Sequence, residues 1–374
     1  MWFSDNEANA LTLRAGDLVV CEGGDAGRCA FLRTDLPGYG FQNSVNRVRP
    51  FGNNFGGYLA YWLMNLKANG FLDVICNRST IAHYTAEKLA GTPLLIPPSD
   101  EQFAIAAFLD RETAKIDALV AEQERLIALL KEKRQAVISH AVAKGSAPNV
   151  PMKNSGVDWL DNVPFHWAVC RIGYYANVEN GSTPSRDNPG YWNDGTIPWI
   201  SSAEVNQYVV REPSELITVA ALKECSLRLL PEGAVLVGLV GQGRTRGMSA
   251  LLSFQATINQ NVAAILTKPE LLSNYLHYSL QAAYEFMREH GRGGNQAAMN
   301  CEILASFRIA LPPKNEQADI VRHLDEVHEL TMQLTAEAER AIALLKERRA
   351  ALISAAVTGK IDVRGLVPDA LQAA

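Results

Sequence analysis

Two arginines lie inside a glycine-rich stretch, GQGRTRGMS, at positions 241–249. Glycines allow the backbone to approach a phosphate closely, and a guanidinium donates hydrogen bonds to phosphate or to the edge of guanine. Arg244 and Arg246 are therefore candidates for contact with DNA. The alternative is a plain strand connection whose arginines are solvated. Gly27-Arg28 occupies the equivalent place earlier in the chain, which favours DNA contact and adds Arg28 to the candidates.

Three further polar loops carry residue types that bind bases or phosphates. The loops are GRGGNQ at 291–296, NRSTIAHY at 77–84 and GSTPSRDNPGYWNDG at 181–195. Their candidate DNA-binding residues are Arg292, Asn295 and Gln296 in the first, Asn77 and Arg78 in the second, and Ser182, Thr183, Ser185 and Arg186 in the third. Two of these loops also have a structural alternative: the first is compatible with a disordered glycine loop, and in the third we favour packing of the domain for the tryptophan.

Motifs for catalysis are absent from the sequence. The chain contains no G-x-x-x-x-G-K-[ST] phosphate loop, and the glycines at 241–247 do not have the G-x-G-x-x-G spacing of a dinucleotide site. It also lacks the Asn/Asp-Pro-Pro-aromatic tetrapeptide of base methyltransferases. His83, His277 and His323 are dispersed, so we interpret them as surface or packing residues and not as metal ligands. The sequence therefore predicts a noncatalytic protein without a metal or cofactor of its own.

The composition is that of a folded protein. Of 374 residues, 48% are hydrophobic and 20% are charged, as in ordinary globular chains. The net charge of −5 and a pI near 5.9 count mildly against a stand-alone nucleic-acid binder. No run approaches the roughly 18 apolar residues of a membrane span, and the N-terminus lacks the pattern of a signal peptide. Six scattered cysteines then predict a reduced, cytoplasmic protein.

The chain contains an internal repeat with an offset of 215 residues. RLIALLKEKRQAVISHAV (125–142) and RAIALLKERRAALISAAV (340–357) are identical at thirteen of eighteen positions. Upstream, IPPSDEQFAIAAFLD (96–110) matches LPPKNEQADIVRHLD (311–325). In each copy the proline pair ends a strand or loop, and the residues after it suit the start of a helix. We expect a short helix and then a long one, which in the first copy runs roughly from Lys115 to Val142.

Both long helices carry an apolar stripe that must pack against another element. The predicted helix-pairing residues are Ile116, Leu119, Leu126, Leu130 and Val137 in the first copy and Leu334, Leu345 and Leu352 in the second. The economical interpretation is that the two copies pair as an antiparallel coiled coil. Two separate helices that cover local cores are the alternative.

Each of the two long helices follows a module of its own. The region 151–312 is rich in Gly, Pro, Asn and aromatic residues, and GAVLVGLVG, NVAAILT and FRIALP within it are predicted strands. The segment 271–290 is a predicted amphipathic helix. Residues 1–98 match the later part of this module, so that residue 1 aligns near residue 216 and nothing corresponds to residues 151–215. We therefore expect an α/β (α+β) fold with two modules, the first partial, linked by two long antiparallel helices.

The order module, helix, module, helix resembles the specificity subunit of type I restriction–modification systems. The resemblance rests on the paired P-P-x-x-E-Q openings, the duplicated helices that end in ISxAV, and GSTPS, IPWIS and INQNVA in the second module. It covers almost the whole chain. It implies target recognition domains at 1–98 (partial) and 149–313, and helical spacers at 99–148 and 314–374, the last including the C-terminal tail.

The resemblance further implies a noncatalytic subunit that reads a split double-stranded DNA site. The helices would set the spacing of the two halves and dock two methyltransferase subunits, and restriction (motor-nuclease) subunits would complete the complex. S-adenosylmethionine and ATP/Mg would be used by those partners and not by this chain. The first domain departs from the family because it starts about 65 residues late, which puts its half-site in doubt. A coiled-coil protein-interaction adaptor, or a truncated inactive or dimerising remnant, are the alternatives.

Overall fold

A computed structural model describes residues 11–42, 44–76, 83–241, 244–290 and 299–366 of the chain. The chain divides into two compact units. Unit 1 contains Met1–Ile127 and Ala336–Ala374, and unit 2 contains Ala128–Thr335. Two long helices each contribute one part to unit 1 and the other part to unit 2. No helix in the described ranges is both long and apolar enough to cross a membrane.

Unit 1 consists of short strands followed by helices. Its elements are β1 (Thr12–Leu13), β2 (Leu18–Cys21), β3 (Cys29–Phe31), β4 (Leu36–Gly40), β5 (Val45–Val48), α1 (Gly56–Ala68), α2 (Phe71–Ile75), α3 (Ala86–Ala90) and the first part of α4 (Ser99–Lys144). The antiparallel sheet β3-β2-β5 places Leu18 and Val20 on its inner face, since alternate side chains of a strand share one face. They pack on Ala60 and Leu63 of α1 and on Tyr84.

Unit 2 has more strands, several of which are buried on both faces. Its strands are β6 (Met152–Asn154), β7 (Asn162–Pro164), β8 (Ala168–Arg171), β9 (Ala176–Asn180), β10 (Ile197–Ile200), β11 (Val209–Val210), β12 (Glu215–Ile217), β13 (Val235–Gly238), β14 (Ser249–Leu252), β15 (Thr257–Ile258), β16 (Val262–Thr267) and β17 (Arg308–Leu311). The three predicted strand regions contain β13, β16 and β17. The first two are continuous apolar runs because both of their faces are covered.

The sheets of unit 2 are mixed. The main sheet has the order β11-β14-β13-β16-β9, with β11 and β14 parallel and the other pairs antiparallel. A smaller sheet has the order β12-β10-β15, and β8 pairs with β17. The helices are the last part of α4, α5 (Ile172–Tyr175), α6 (Val219–Glu224), α7 (Ser273–Ala282), α8 (Tyr284–His290), α9 (Cys301–Ser306) and the first part of α10 (Lys314–Val357). The helix predicted at 271–290 is thus two helices, α7 and α8, separated at Ala283.

Each long helix is continuous from its first turn to its last. The first covers 46 residues and the second covers 44. The expectation of a short helix followed by a longer one was wrong, because the chain contains no helix-breaking residue between Ser99 and Lys144 and the apolar stripe continues through this stretch. At 1.5 Å per residue the first helix is about 69 Å long, against the roughly 40 Å expected from residues 115–142 alone.

The two long helices run antiparallel in both units. In unit 1, Ile105 and Leu109 of α4 share a hydrophobic cluster with Ile353 and Val357 of α10. The Nε of Arg349 in α10 lies 2.8 Å from Oδ1 of Asp117 in α4. The start of α4 therefore lies beside the end of α10.

Unit 2 contains the reverse combination. There, Ile138 and Ala141 of α4 share a cluster with Ile320 and Leu324 of α10. Arg134 Nη1 lies 3.0 Å from Nδ1 of His328. The end of α4 therefore lies beside the start of α10, as an antiparallel pair requires.

The predicted pairing stripe had the wrong register at every second position. Leu119, Leu126 and Leu334 are exposed, Leu119 by 52%. The inward positions of α4 are instead Thr113, Ile116, Val120, Gln123, Ile127, Leu130, Arg134 and Val137. After Ile116 the stripe advances by four residues and then by three, whereas the prediction used three and then four. Ile116, Leu130, Val137, Leu345 and Leu352 are buried or half-buried.

Candidate nucleic-acid interface

A buried glutamine connects each module to the first turn of a long helix. In unit 2, Nε2 of Gln317 donates to the carbonyl oxygens of Pro312 and Glu270, and its Oε1 accepts from the N–H of Leu272, each at 2.9 Å. Leu272 precedes α7, so the side chain satisfies an amide at a helix start that has no partner within the helix.

Unit 1 repeats this arrangement 215 positions earlier. Nε2 of Gln102 donates to Pro97 O and Asn54 Oδ1, and its Oε1 accepts from the N–H of Phe55, each at 2.9 Å. Phe55 precedes α1, the helix that corresponds to α7. The glutamine of the P-P-x-x-E-Q motif therefore has the same structural role in both units.

A buried tyrosine joins each module helix to the end of the other long helix. The hydroxyl of Tyr275 lies 3.0 Å from Ala310 O and 3.3 Å from Val142 O. The hydroxyl of Tyr58 lies 2.9 Å from Leu95 O and 3.3 Å from Val357 O. Burial raises the pKa of Tyr58 to about 12, so this hydroxyl stays protonated.

A second tyrosine, one helical turn later, contacts the long helix that follows its module. Tyr61 donates to Asp110 Oδ1 at 2.9 Å, and Tyr278 donates to Asp325 Oδ1 at 2.7 Å. With the glutamine and the first tyrosine, these bonds hold each module helix against both long helices. Rigid attachment of this kind is what a module needs to present loops at a defined place.

Three loops of unit 2 leave the main sheet at one end. Asn180 at the end of β9 lies opposite Ala263 in β16, and Gly238 at the end of β13 lies opposite Val262. The loops 181–188, 239–248 and 259–261 therefore begin or end on one line across the sheet. Hydrogen bonds join them at their bases, from Leu239 N to Asn261 O at 2.9 Å and from Gly181 N to Asn259 O at 3.3 Å.

The loop at 181–188 is closed by contacts with aromatic and charged residues that follow it in the chain. The indoles of Trp192 and Trp199 donate to the carbonyl oxygens of Ser185 and Ser182. Arg186 forms a bidentate ion pair with Glu215 and lies 3.7 Å above the ring of Trp192. Its hydrogen bond holds the pKa of the Glu215 carboxyl below the usual value.

These contacts decide which of the predicted residues in that loop face solvent. Arg186 is exposed, and its guanidinium pairs with Glu215 and lies over Trp192, so it helps to close the loop. Its contact with DNA stays a prediction. Thr183 donates to Oε1 of Gln260 in the neighbouring loop. Ser182 and Thr183 are half-buried, and Ser185 is exposed. The packing role favoured for Trp192 matches its contacts.

The two arginines of the 239–248 loop differ in their surroundings. Arg246 is half-buried and its Nη2 donates to the carbonyl oxygen of Arg288 at 3.1 Å. The side chain of Arg244 is exposed, while its backbone carbonyl accepts from the hydroxyl of Tyr284. A Cβ at Gly238 would lie 2.4 Å from Thr245 O, so glycine is required where the loop folds back on its strand. Of the two, Arg244 is available to a ligand and Arg246 holds the loop in place.

The remaining predicted DNA-binding residues fall into two groups. Arg28 is exposed in the loop between β2 and β3, the place in unit 1 that corresponds to Arg244. The others lie outside the described residues: Asn77, Arg78, Arg292, Asn295 and Gln296. Their contact with DNA stays a prediction.

The fully buried His277 belongs to a packed polar network. His277 Nδ1 lies 3.0 Å from Ser249 Oγ, and its Nε2 lies 2.7 Å from Nε2 of Gln281. Burial lowers its pKa to about 3, so the ring is neutral at pH 7. His83 and His323 are exposed. Within the described ranges, no group of three or more His, Cys, Asp or Glu side chains is arranged to hold a metal ion.

The sequence reasoning missed the two glutamines and the four tyrosines as attachment residues. A signal for them was present, because Gln102 and Gln317 recur at an offset of 215, and Tyr58 and Tyr275 at an offset of 217. Recurrence in both modules indicates a shared structural role, since residues that read different DNA halves would differ.

Comparisons with known proteins agree with the two-module architecture. The family model described as the type I restriction modification DNA specificity domain matches residues 4–127 and 164–343. The specificity subunit of the type I restriction enzyme EcoR124I/EcoR124II of Escherichia coli is 26% identical over 295 residues, which cover 78% of this chain and 68% of that protein. The MjaIX specificity subunit of Methanocaldococcus jannaschii is 29% identical over 178 residues, 46% of this chain and 40% of that protein.

Solved structures show the same fold. A chain from a study of complex assembly and conformational transition of the type I R-M system aligns with a TM-score of 0.70 and 21% identity, over 94% of this chain and 83% of that one. The HsdS subunit from Thermoanaerobacter tengcongensis aligns with a TM-score of 0.53 and 18% identity, over 94% and 82% of the two chains.

Proposed function

Because the chain belongs to the family of type I restriction modification DNA specificity domains, whose members are noncatalytic DNA-recognition components, we propose that it reads a split double-stranded DNA site with its two modules. The observation that carries this proposal is the set of three joined loops at one end of the unit 2 sheet, with the exposed Arg244 among them. A loop that its neighbours already hold loses little backbone entropy when its guanidinium contacts phosphate or guanine.

The function requires partners, and the long helices are the surface that we assign to them. Large apolar side chains are exposed along both helices: Leu119, Leu126, Leu129, Leu330, Met332, Leu334 and Leu344. Large apolar side chains that stay exposed on a helix are candidates for an interaction site. We propose that they dock two methyltransferase subunits, and that restriction subunits complete the complex. S-adenosylmethionine and ATP/Mg would be bound by those partners, in the cytoplasm where the DNA lies.

DNA titrations of the chain assembled with its methyltransferase subunits test the proposal. Arg244→Ala should weaken binding. If Arg244 contacts phosphate, the loss of affinity should be uniform across sequences. The slope of the logarithm of the binding constant against the logarithm of the salt concentration should also become shallower by about one unit. If Arg244 reads guanine, the loss should be roughly 1–3 kcal/mol on the cognate half-site and much smaller elsewhere.

The control is Arg322→Ala, which removes an exposed arginine from α10 in the same unit and leaves the loops intact. If Arg244→Ala binds DNA with wild-type affinity at every salt concentration, this loop does not contribute to the interface. Absence of DNA binding by the whole complex would instead favour the second candidate, a protein-interaction adaptor, for which the exposed leucines of the helices are the supporting observation.

A further inference from the structure

The loop that carries Arg244 lies against α8 as it returns to the main sheet. Its base is closed by a hydrogen bond from Gly247 N to Gly238 O at 2.8 Å. Gly247 has a φ of +81°, and a Cβ there would lie 3.6 Å from Cγ of Arg288 and 3.7 Å from the ring of Tyr284. The backbone of the loop therefore passes directly beside two polar side chains of the helix.

These two side chains form a chain of hydrogen bonds that ends on the loop. The hydroxyl of Tyr284 donates to the carbonyl oxygen of Arg244 at 2.5 Å. Nη1 of Arg288 donates to the same hydroxyl at 2.5 Å, and the guanidinium lies 5.3 Å from the centre of the Tyr284 ring. The direction of both bonds is fixed, because a carbonyl oxygen only accepts and a guanidinium only donates. The single proton of the hydroxyl is thus committed to the Arg244 carbonyl.

A side chain of the loop reaches back to the helix. Nη2 of Arg246 donates to the backbone carbonyl oxygen of Arg288 at 3.1 Å. The loop and the helix are therefore joined by side chains from both elements, on the two sides of Thr245.

The helix α8 is itself fixed to the interior of unit 2. Met287 is buried in the main hydrophobic cluster of the unit. Its N–H donates to Ala283 O at 2.9 Å, at the buried turn between α7 and α8. The two tyrosines of α7 in turn bond to α10 and to the end of α4. A continuous set of contacts therefore connects the long helices, within unit 2, to the backbone of Arg244.

We propose that Tyr284 is a positioning residue for DNA recognition: it holds the Arg244 carbonyl and so directs the Arg244 side chain to one place on the DNA, while Arg288 orients the Tyr284 hydroxyl. The inference rests on the proposed function and names the residues that deliver its arginine. A long, exposed side chain reaches a particular phosphate or base edge only when its backbone is fixed. Tyr284 and Arg288 are half-buried, whereas Arg244 is exposed, so the two helix residues act through the loop.

Digestion with trypsin tests the hold on the loop in the absence of DNA. The rate of cleavage after Arg244 or Arg246 in the full-length protein is followed by mass spectrometry. Tyr284→Phe removes only the hydroxyl and should raise this rate about threefold to tenfold, the change expected when one hydrogen bond is lost. Arg288→Met should also raise the rate, but should add nothing to Tyr284→Phe, because Arg288 acts through the same hydroxyl.

The matched control is Tyr174→Phe, which removes a hydroxyl from an exposed tyrosine of the same unit. Tyr174 lies in α5 before β9, whereas the loops begin after the last residue of β9, so it lies at the other end of that strand. The cleavage rate of this variant should equal that of the wild type. All digestions are carried out well below the melting temperature of each variant, as measured by circular dichroism.

DNA titrations of the complex with its methyltransferase subunits test whether the hold serves recognition. In the wild-type background, Tyr284→Phe should weaken DNA binding about threefold to tenfold. In the Arg244→Ala background the same change should have no effect, because the guanidinium that Tyr284 places is no longer present. A purely structural role of Tyr284 would instead produce equal losses of affinity in the two backgrounds.

The failure of this inference is distinguishable from the failure of the proposed function. An unchanged cleavage rate in Tyr284→Phe, or equal losses of DNA affinity in the two backgrounds, would overturn the inference alone. Additive effects of Arg288→Met and Tyr284→Phe on cleavage would overturn the role of Arg288. DNA binding that Arg244→Ala leaves unchanged would overturn the proposed contact of this loop, and the inference with it.

Discussion

At the scale of single residues, identity alone did not separate the arginines that face solvent from those that hold the loops. Arg186, Arg244 and Arg246 are equally good candidates by type. Arg186 is engaged by Glu215 and Arg246 by a carbonyl 42 positions away, whereas the exposed guanidinium of Arg244 has no such partner among the described residues. Such partners arise from the tertiary fold, and no local pattern in the sequence predicts them.

The buried His277 should make unit 2 sensitive to acid. Its folded-state pKa is about 3 against an ordinary 6.5. Between these two pH values the unfolded chain binds a proton at this histidine and the folded chain does not. Stability should therefore fall as the pH drops below about 6.5, by up to about 1.4 kcal/mol per pH unit. Denaturant unfolding at several pH values should show a shallower fall in His277→Gln. Equal slopes in the two proteins would contradict the neutral buried ring.

At the scale of elements, the duplicated sequences predicted the two long helices and their antiparallel order. The error in register arose because leucines and isoleucines stand side by side in both helices, so the sequence admits two stripes that share every second position. Burial distinguishes the stripes: Ile116, Val120 and Ile127 turn inward, and Leu119 and Leu126 turn outward. The exposed stripe is then free for a partner.

Pairing of the helices predicts a strong effect at two inward positions. Leu130→Asp combined with Leu345→Asp would place a carboxylate in the half-buried stripe of each unit, and should lower the free energy of unfolding by several kcal/mol. Leu119→Asp combined with Leu334→Asp is the matched control, because both leucines are exposed. Thermal denaturation compares the two pairs of changes, and equal melting temperatures would reject the pairing.

The buried glutamines should contribute more to the free energy of unfolding than an exposed glutamine of the same helix. Gln317→Ala leaves the Leu272 amide and the Pro312 and Glu270 carbonyls without their partner. Each buried group left without a partner costs about 1–3 kcal/mol before water compensates. Urea unfolding should show a loss of at least about 2 kcal/mol, whereas the exposed Gln333→Ala should change stability by less than about 0.5 kcal/mol. A similar small loss in both variants would show that the glutamine is not an attachment residue.

At the scale of the whole molecule, the 215-residue offset predicted two related modules and the difference between them. It could not predict that each compact unit takes one part of each long helix, because that division depends on which helix end each module contacts. Tyr58 and Tyr275 make those contacts, and each reaches a carbonyl of the long helix that does not follow its own module.

The uncovered segment before α4 should be the first site of proteolysis. Leu94 to Ile96 are exposed in an irregular segment, and an accessible extended backbone is what a protease binds. Limited digestion with thermolysin, followed by intact-mass measurement, should show the first cut between residues 93 and 98. The equivalent residues 309–311 should resist cleavage because they are paired and buried. A first cut within 149–313 would contradict this order.

The division of the chain also sets the order in which a ribosome can complete the two units. Unit 2 is one uninterrupted stretch, whereas unit 1 needs residues from both ends, as in the bond between Tyr58 and Val357, 299 positions apart. At about 5–20 residues per second, the tyrosine waits roughly 15–60 s for its partner to be synthesised. The part of the chain that is made first is thus the part that finishes folding last. During that interval Tyr58 and Trp62 of α1 lack their contacts with the end of α10, so part of the apolar surface of unit 1 stays exposed on the nascent chain.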